Sequence, residues 1–161
     1  MKSWNDVKVK NFEAVVELAI NKDKYKSETE FGLRVTAALL GIPYAEILTY
    51  STEQFQQLQK DLEWSNKPVE HNGKTVYIIN GRKYAPIKNP NKLTMGAAID
   101  AELMISNSKE YDIISSLLPI LLREVVGNKQ LPYSSKDYYE NRKLFSENLS
   151  IADVIHLKDF F

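Results

Sequence analysis

Asn72-Gly73-Lys74-Thr75-Val76-Tyr77-Ile78-Ile79-Asn80-Gly81 decides the fold class of this chain. Two Asn-Gly pairs bracket a run rich in β-branched and aromatic residues. Asn-Gly supplies the two positive-φ positions of a tight hairpin turn, and β-branched and aromatic residues suit a pleated, half-buried surface. Pro86 and Pro90 follow, and proline cannot donate to a strand ladder. The reading is a two- or three-stranded β-hairpin or meander over about residues 68–87, with both Asn-Gly pairs as turns.

On either side the spacing changes to a helical one. Phe12, Val15, Val16, Ala19 and Ile20 fall on one helical face. Residues 27–40 are apolar on most sides, which predicts a central, buried helix stopped by Gly41. Ser51 with Gln54 has capping-box spacing and opens a helix whose inward face is Phe55, Leu58 and Leu62. Beyond the β-region, Thr94 caps a helix through Ile99, Leu103 and Met104. An apolar run over 111–126 predicts a buried helix, kinked or split at Pro119 and ended by Gly127. Ser134 or Ser135 opens a polar helix over 136–148, and Ser150 with Asp153 opens a last short one. The predicted fold is α+β: a mainly helical single domain over 1–161, with helices at about 10–64 and 94–161 flanking the inserted meander.

Composition narrows the function classes. Lys+Arg and Asp+Glu are both 21, so the formal net charge is +0, which argues against a general nucleic-acid binder. No cysteine is present, which removes disulfides, thiolate chemistry and cysteine-based metal sites. The opening residues lack the apolar core of a signal peptide, and the longest apolar run is interrupted by Ser115, Ser116, Pro119, Arg123 and Glu124. A cytosolic protein is expected.

Catalytic signatures are missing. His71 and His156 have no second histidine or carboxylate at a ligand spacing, so each reads as a surface or satisfied histidine, His71 exposed beside its turn. Asp100 and Glu102 point in different directions on one helix, while Glu13 and Glu17 share a face expected to be solvated. The six glycines are scattered singly, so no phosphate-cradling loop forms. The expectation is a protein that is not an enzyme and uses no cofactor or metal.

Candidate partner-binding residues lie in three places. The predicted hairpin carries Lys74, Arg82, Lys83, Lys88 and Lys92 interleaved with Tyr77 and Tyr84. Such a ribbon fits a nucleic-acid reader, a charge-protected sheet edge, or an edge that adds to a partner's sheet. The neutral net charge favours the protected edge. Tyr138, Tyr139 and Arg142 sit on the polar helix with Phe145, and such residues are enriched at interface cores. Phe160-Phe161 close the chain and need burial, within the domain or against a partner.

Three groups of short phrases then carry a resemblance. They are Trp4-Asn5-Asp6-Val7-Lys8-Val9 leading to Phe12; Ile79-Asn80-Gly81-Arg82-Lys83-Tyr84 with Leu93-Thr94-Met95-Gly96 and Ile99-Asp100; and Arg142 with Leu144-Phe145, Leu149-Ser150-Ile151-Ala152-Asp153-Val154 and Phe160-Phe161. Together they resemble small tailed-bacteriophage proteins from tail and virion-assembly modules. The resemblance implies a non-enzymatic assembly protein, foremost a tail assembly chaperone that coats an apolar helical partner such as the tape-measure protein. A permanent virion component, such as a connector or portal-associated protein, is the alternative. A nucleic-acid-binding accessory protein using the basic hairpin is the second. The implied partners are other phage structural or assembly proteins, or a second copy of the chain. The implied location is the cytoplasm of an infected bacterium, or the virion for the structural alternative. No catalytic motif is carried over.

Overall fold

A computed structural model describes residues 3–89 and 93–160, the last three of these without their side chains. Eight α-helices and four strands are found among them: α1 Val9–Ile20, α2 Glu28–Leu40, α3 Tyr44–Ile47, α4 Thr52–Asp61, β1 Tyr77–Ile79, β2 Arg82–Pro86, α5 Met95–Asn107, α6 Ile113–Leu121, β3 Leu122–Val126, β4 Lys129–Gln130, α7 Tyr138–Asn148 and α8 Ile151–Val154. The architecture is α+β and mainly helical, as the sequence implies.

The second Asn-Gly pair forms the expected hairpin turn. Asn80 at φ 50 and Gly81 at φ 77 supply two consecutive left-handed positions, and Ile79 pairs with Arg82. The first pair does not. Gly73 has φ 81, but Asn72 keeps a negative φ, and no strand lies over 68–76. Asn72 is drawn to α8 instead. Its N–H donates to the Ala152 carbonyl (3.0 Å), and its side-chain amide donates to Asn5 Oδ1 and Asp153 Oδ1, both at 2.8 Å. Long-range bonds thus take the residue that a local turn would have used.

The sheet is larger than a meander over 68–87. Its order is β1-β2-β3-β4, and every neighbouring pair is antiparallel. The expected helix to residue 126 stops at Leu121, and the next residue begins β3. Pro119 supplies no N–H to the helical ladder. Immediately beyond it the backbone is claimed by β2: Ala85 faces Arg123, Tyr84 faces Glu124, and Ile87 N–H donates to the Leu121 carbonyl (2.9 Å). Gly127 at φ 60 turns β3 back into β4.

The core lies between the sheet and the C-terminal helices. Tyr77, Ile79, Tyr84 and Leu122 face inward from the strands, while α6 is buried at every position from Ser115 to Leu121. Phe145 of α7 meets Tyr84 edge to face at 5.0 Å. The predicted central helix, α2, is peripheral: only Thr36, Ala37 and Leu39 are buried, and α6 takes the central place. On α1, Ile20 is 51% exposed, so the inward face ends before it. The expected caps hold at Ser51, Thr94 and Ser150, each side chain accepting from a first-turn N–H, and Ser27 caps α2 in the same way. Ser134 and Ser135 do not cap α7, whose N-cap position is Asp137.

Glu13 corrects the expectation of a solvated acidic face. It is only 8% exposed and accepts from Ser115 N–H (2.8 Å), a first-turn donor of α6. Ser115 Oγ in turn accepts from Arg142 Nε (3.2 Å), and Arg142 Nη2 pairs with Asp112 at 2.9 Å. Burial raises the Glu13 carboxyl above its ordinary value of 4.5, against the lowering effect of the Ser115 bond. A carboxyl that holds its proton more tightly when folded loses its stabilising contribution as pH rises from 4.5 through the folded value. Glu13→Gln keeps an acceptor for Ser115 and cannot ionise. It is expected to change neutral-pH stability little and to flatten that decline. Glu13→Ala orphans the buried N–H and is expected to cost about 1–3 kcal/mol. Urea unfolding of both variants at pH 5 and pH 7 checks this, and equal losses for the two would contradict it.

Candidate functional site

Several concavities open on the surface, and two kinds carry distinct chemistry. The first is an apolar groove of about 260 Å³. Its floor is Leu117, Leu118, Leu121 and Leu157; its walls are Ile113, Ile114 and Ile105. Among the described residues, no polar or charged side chain lines it. Along the outer face of α5, Met95, Ile99 and Leu103 are 77%, 50% and 48% exposed at spacings of one helical turn. Ile105, 38% exposed, stands on the same helix at the groove wall.

The second is a pair of adjoining clefts that share Arg123. The larger, about 550 Å³, lies between the sheet and α7 and includes Arg82, Glu124, Asp137 and Glu140. The smaller, about 320 Å³, is bordered by Lys88, Thr94, Gln130, Leu131 and Tyr133. Arg123 is 8% exposed. Its Nη1 donates to the carbonyls of Pro119 (3.3 Å) and Leu122 (3.2 Å), and its guanidinium lies 5.2 Å from the Tyr133 ring centroid. Tyr133 is fixed by donating its hydroxyl to Asp100 Oδ2 (2.8 Å). Burial lowers the Arg123 pKa from its ordinary value, opposed only by the Tyr133 hydroxyl.

The sequence-predicted residues divide by burial. Tyr77, Tyr84 and Tyr138 are 4%, 3% and 3% exposed and belong to the core, which corrects their reading as surface contacts. Tyr77 donates its hydroxyl to the Asp153 carbonyl (2.8 Å), and Tyr138 donates to the Ser116 carbonyl (2.8 Å). Arg142 is committed to Asp112 and Ser115. Lys83 and Tyr139 are exposed, and Arg82 is exposed beside Glu124 at 3.6 Å. Lys74 pairs with Asp153 at 3.0 Å, so the basic ribbon is partly neutralised and its tyrosines offer no face for base stacking. The Phe160 side chain, Lys92 and Phe161 lie outside the described residues.

The two histidines, each read from the sequence as a surface or satisfied residue, are stacked, with ring centroids 3.7 Å apart and planes tilted by 41°. His71 Nε2–H donates to the Lys74 carbonyl (3.1 Å). The strap over 71–77 docked on α8 brings together residues that are 85 positions apart, which local spacing cannot signal. Among the described residues, no group of three or more His, Cys, Asp or Glu is placed to hold a metal, and no helix is long and apolar enough to cross a membrane.

Sequence reading missed the apolar groove because three separate segments build it. Arg123 did leave a signal, as a charge inside a run that is otherwise nearly all apolar. No protein-family model matches the chain, and no curated protein or solved structure matches it.

Proposed function

We propose that this chain is a non-enzymatic assembly factor that holds the apolar face of a helical partner. The setting we propose is the one its short sequence phrases resemble: bacteriophage tail assembly, with the chain acting as a chaperone for an apolar helical protein such as the tape-measure protein. The observation that supports this reading is the groove between α5, α6 and Leu157, lined among the described residues by aliphatic side chains alone, with a separate exposed apolar stripe on the outer face of α5. Helix-in-groove recognition needs a concave apolar strip that accepts side chains spaced one turn apart. An aliphatic lining contributes no hydrogen bonds, so affinity comes from apolar area and selects an apolar helix over a charged segment.

Ile105 is 38% exposed at the groove wall, so charging it tests the surface without emptying the core. Ile105→Glu is expected to weaken binding of a leucine-rich amphipathic helical peptide by about tenfold or more, since each buried aliphatic side chain contributes about 1.5–3 kcal/mol. Fluorescence anisotropy with a labelled peptide reads this, and circular dichroism confirms that the variant is folded. Unchanged affinity would sink the groove as the docking site. Quantitative mass spectrometry of virions against infected-cell lysate separates the roles. Abundance in lysate with absence from particles supports a chaperone, and fixed stoichiometry in particles makes the chain a structural component.

A further inference from the structure

Arg34, Arg82 and Arg142 each meet a carboxylate, at 2.9, 3.6 and 2.9 Å from Glu30, Glu124 and Asp112. Arg123 is the remaining arginine and the most buried, and no carboxylate pairs with it among the described residues. Two carbonyls and an aromatic face, in place of a carboxylate, compensate the burial of its charge only in part. Its surroundings also fix its direction. Nη1 is taken by two carbonyls and one face by the Tyr133 ring. Nε and Nη2 carry no hydrogen bond to a described residue, so one edge of the planar fork is left, the edge that matches a carboxylate through two parallel bonds.

The smaller cleft suits the same charge. Lys88 is exposed on its border with no ion pair among the described residues, and Thr94 places the N-terminus of the 13-residue α5 there. A helix N-terminus favours an anion. Leu93, Leu131 and Pro132 supply apolar walls, and no Asp or Glu among the described residues lines this cleft. On the other side of Arg123 the larger cleft carries Glu124, Asp137 and Glu140, which repel an anion, so the approach is from the Lys88 side.

We propose that the cleft formed by Arg123, Lys88 and the start of α5 is a binding site for a carboxylate carried on a short apolar stem. The carboxylate meets the Nε–Nη2 edge of Arg123, Lys88 adds a second positive charge, and the stem lies against Leu93 and Leu131. The site is separate from the apolar groove, and either can fail without the other.

Butyrate is the probe, with chloride and inorganic phosphate at matched ionic strength as controls. Saturable butyrate-dependent shifts of the Arg123 Nε–H, Leu131 and Tyr133 nuclear magnetic resonance signals are expected, with phosphate clearly weaker. Arg123→Gln is expected to weaken binding by about tenfold or more, the size of a lost charge-assisted contact. Leu131→Trp fills the cleft from an exposed position and leaves the charges in place; it is expected to block butyrate even where Arg123→Gln proves too unstable to measure. N-Acetylglutamyl amide distinguishes the source. Binding tighter than butyrate assigns the carboxylate to an acidic side chain of a partner, and weaker binding assigns it to a free small molecule. Absence of saturation, phosphate binding as tight as butyrate, or full butyrate binding by Leu131→Trp would each overturn the proposal.

Discussion

Asp153→Ala is expected to lose roughly 3 kcal/mol of stability at neutral pH, the combined scale of a lost N-cap partner and of hydrogen bonds to a buried charge. The residue is 6% exposed. Its Oδ2 accepts from Ser150 N–H (2.8 Å) and Ser150 Oγ (2.7 Å), which closes the capping box of α8. Oδ1 accepts from the Asn72 amide (2.8 Å) and meets Lys74 Nζ (3.0 Å), which ties the strap before β1 to the same helix. Truncation leaves the Asn72 and Ser150 donors without their acceptor. The exposed Lys74 contributes little, since a 60% exposed ammonium is well screened.

The pH dependence separates this role from simple loss of volume. Burial pushes the Asp153 carboxyl up, but the bonds from Asn72, Ser150 and Lys74 outweigh it and hold the group below its ordinary value of 3.8. A carboxyl depressed on folding contributes stability that is fully present above 3.8 and is lost as pH falls through the folded value. The gap between wild type and Asp153→Ala should therefore narrow below pH 3.8. Urea unfolding at pH 7 and pH 3 measures it, and a gap of the same size at both would show that ionisation contributes nothing.

Asp153 also marks where legibility ends. Ser150 and Asp153 are three residues apart, and a capping box is a local device, so sequence alone reveals it. The same holds for Asn80-Gly81 and for Gly41, which ends α2 at φ 69. The second role of Asp153 depends on Asn72, 81 positions away, and spacing carries no trace of it. β3 fails for a related reason. A short apolar run fits a buried strand as well as a buried helix, and the choice was made by β2, whose register begins at Arg82. The candidate sites follow the same rule. The α5 stripe repeats at helical spacing, yet that spacing is equally the mark of a core face. Only the fold shows that Ala97 and Ala101 face inward while Met95, Ile99 and Leu103 face out.

Phe145→Ala is expected to cost about 3–5 kcal/mol, the range for removing a fully buried aromatic ring. Phe145 is 1% exposed, the largest of the most deeply buried side chains, and its ring meets Tyr84 at 80°. That contact joins α7 to β2, the strand through which β1 and β3 are held in one sheet. Phe145 also lines the larger cleft beside Leu122 and Leu144, so truncation opens the core toward it. The edge-to-face pair adds about 0.5–1.5 kcal/mol beyond area, so the double variant with Tyr84→Leu should fall short of the sum of the single losses by that amount. Amide hydrogen exchange should quicken in β2 and β3 before it does in α2, which packs on α1 away from this contact. Tyr139→Ala is the matched control: same helix, 74% exposed, and an expected change within about 0.5 kcal/mol. Comparable losses for Phe145→Ala and Tyr139→Ala would mean that α7 is not pinned through Tyr84. The larger cleft beside Arg123 would then lack a rigid wall on its α7 side.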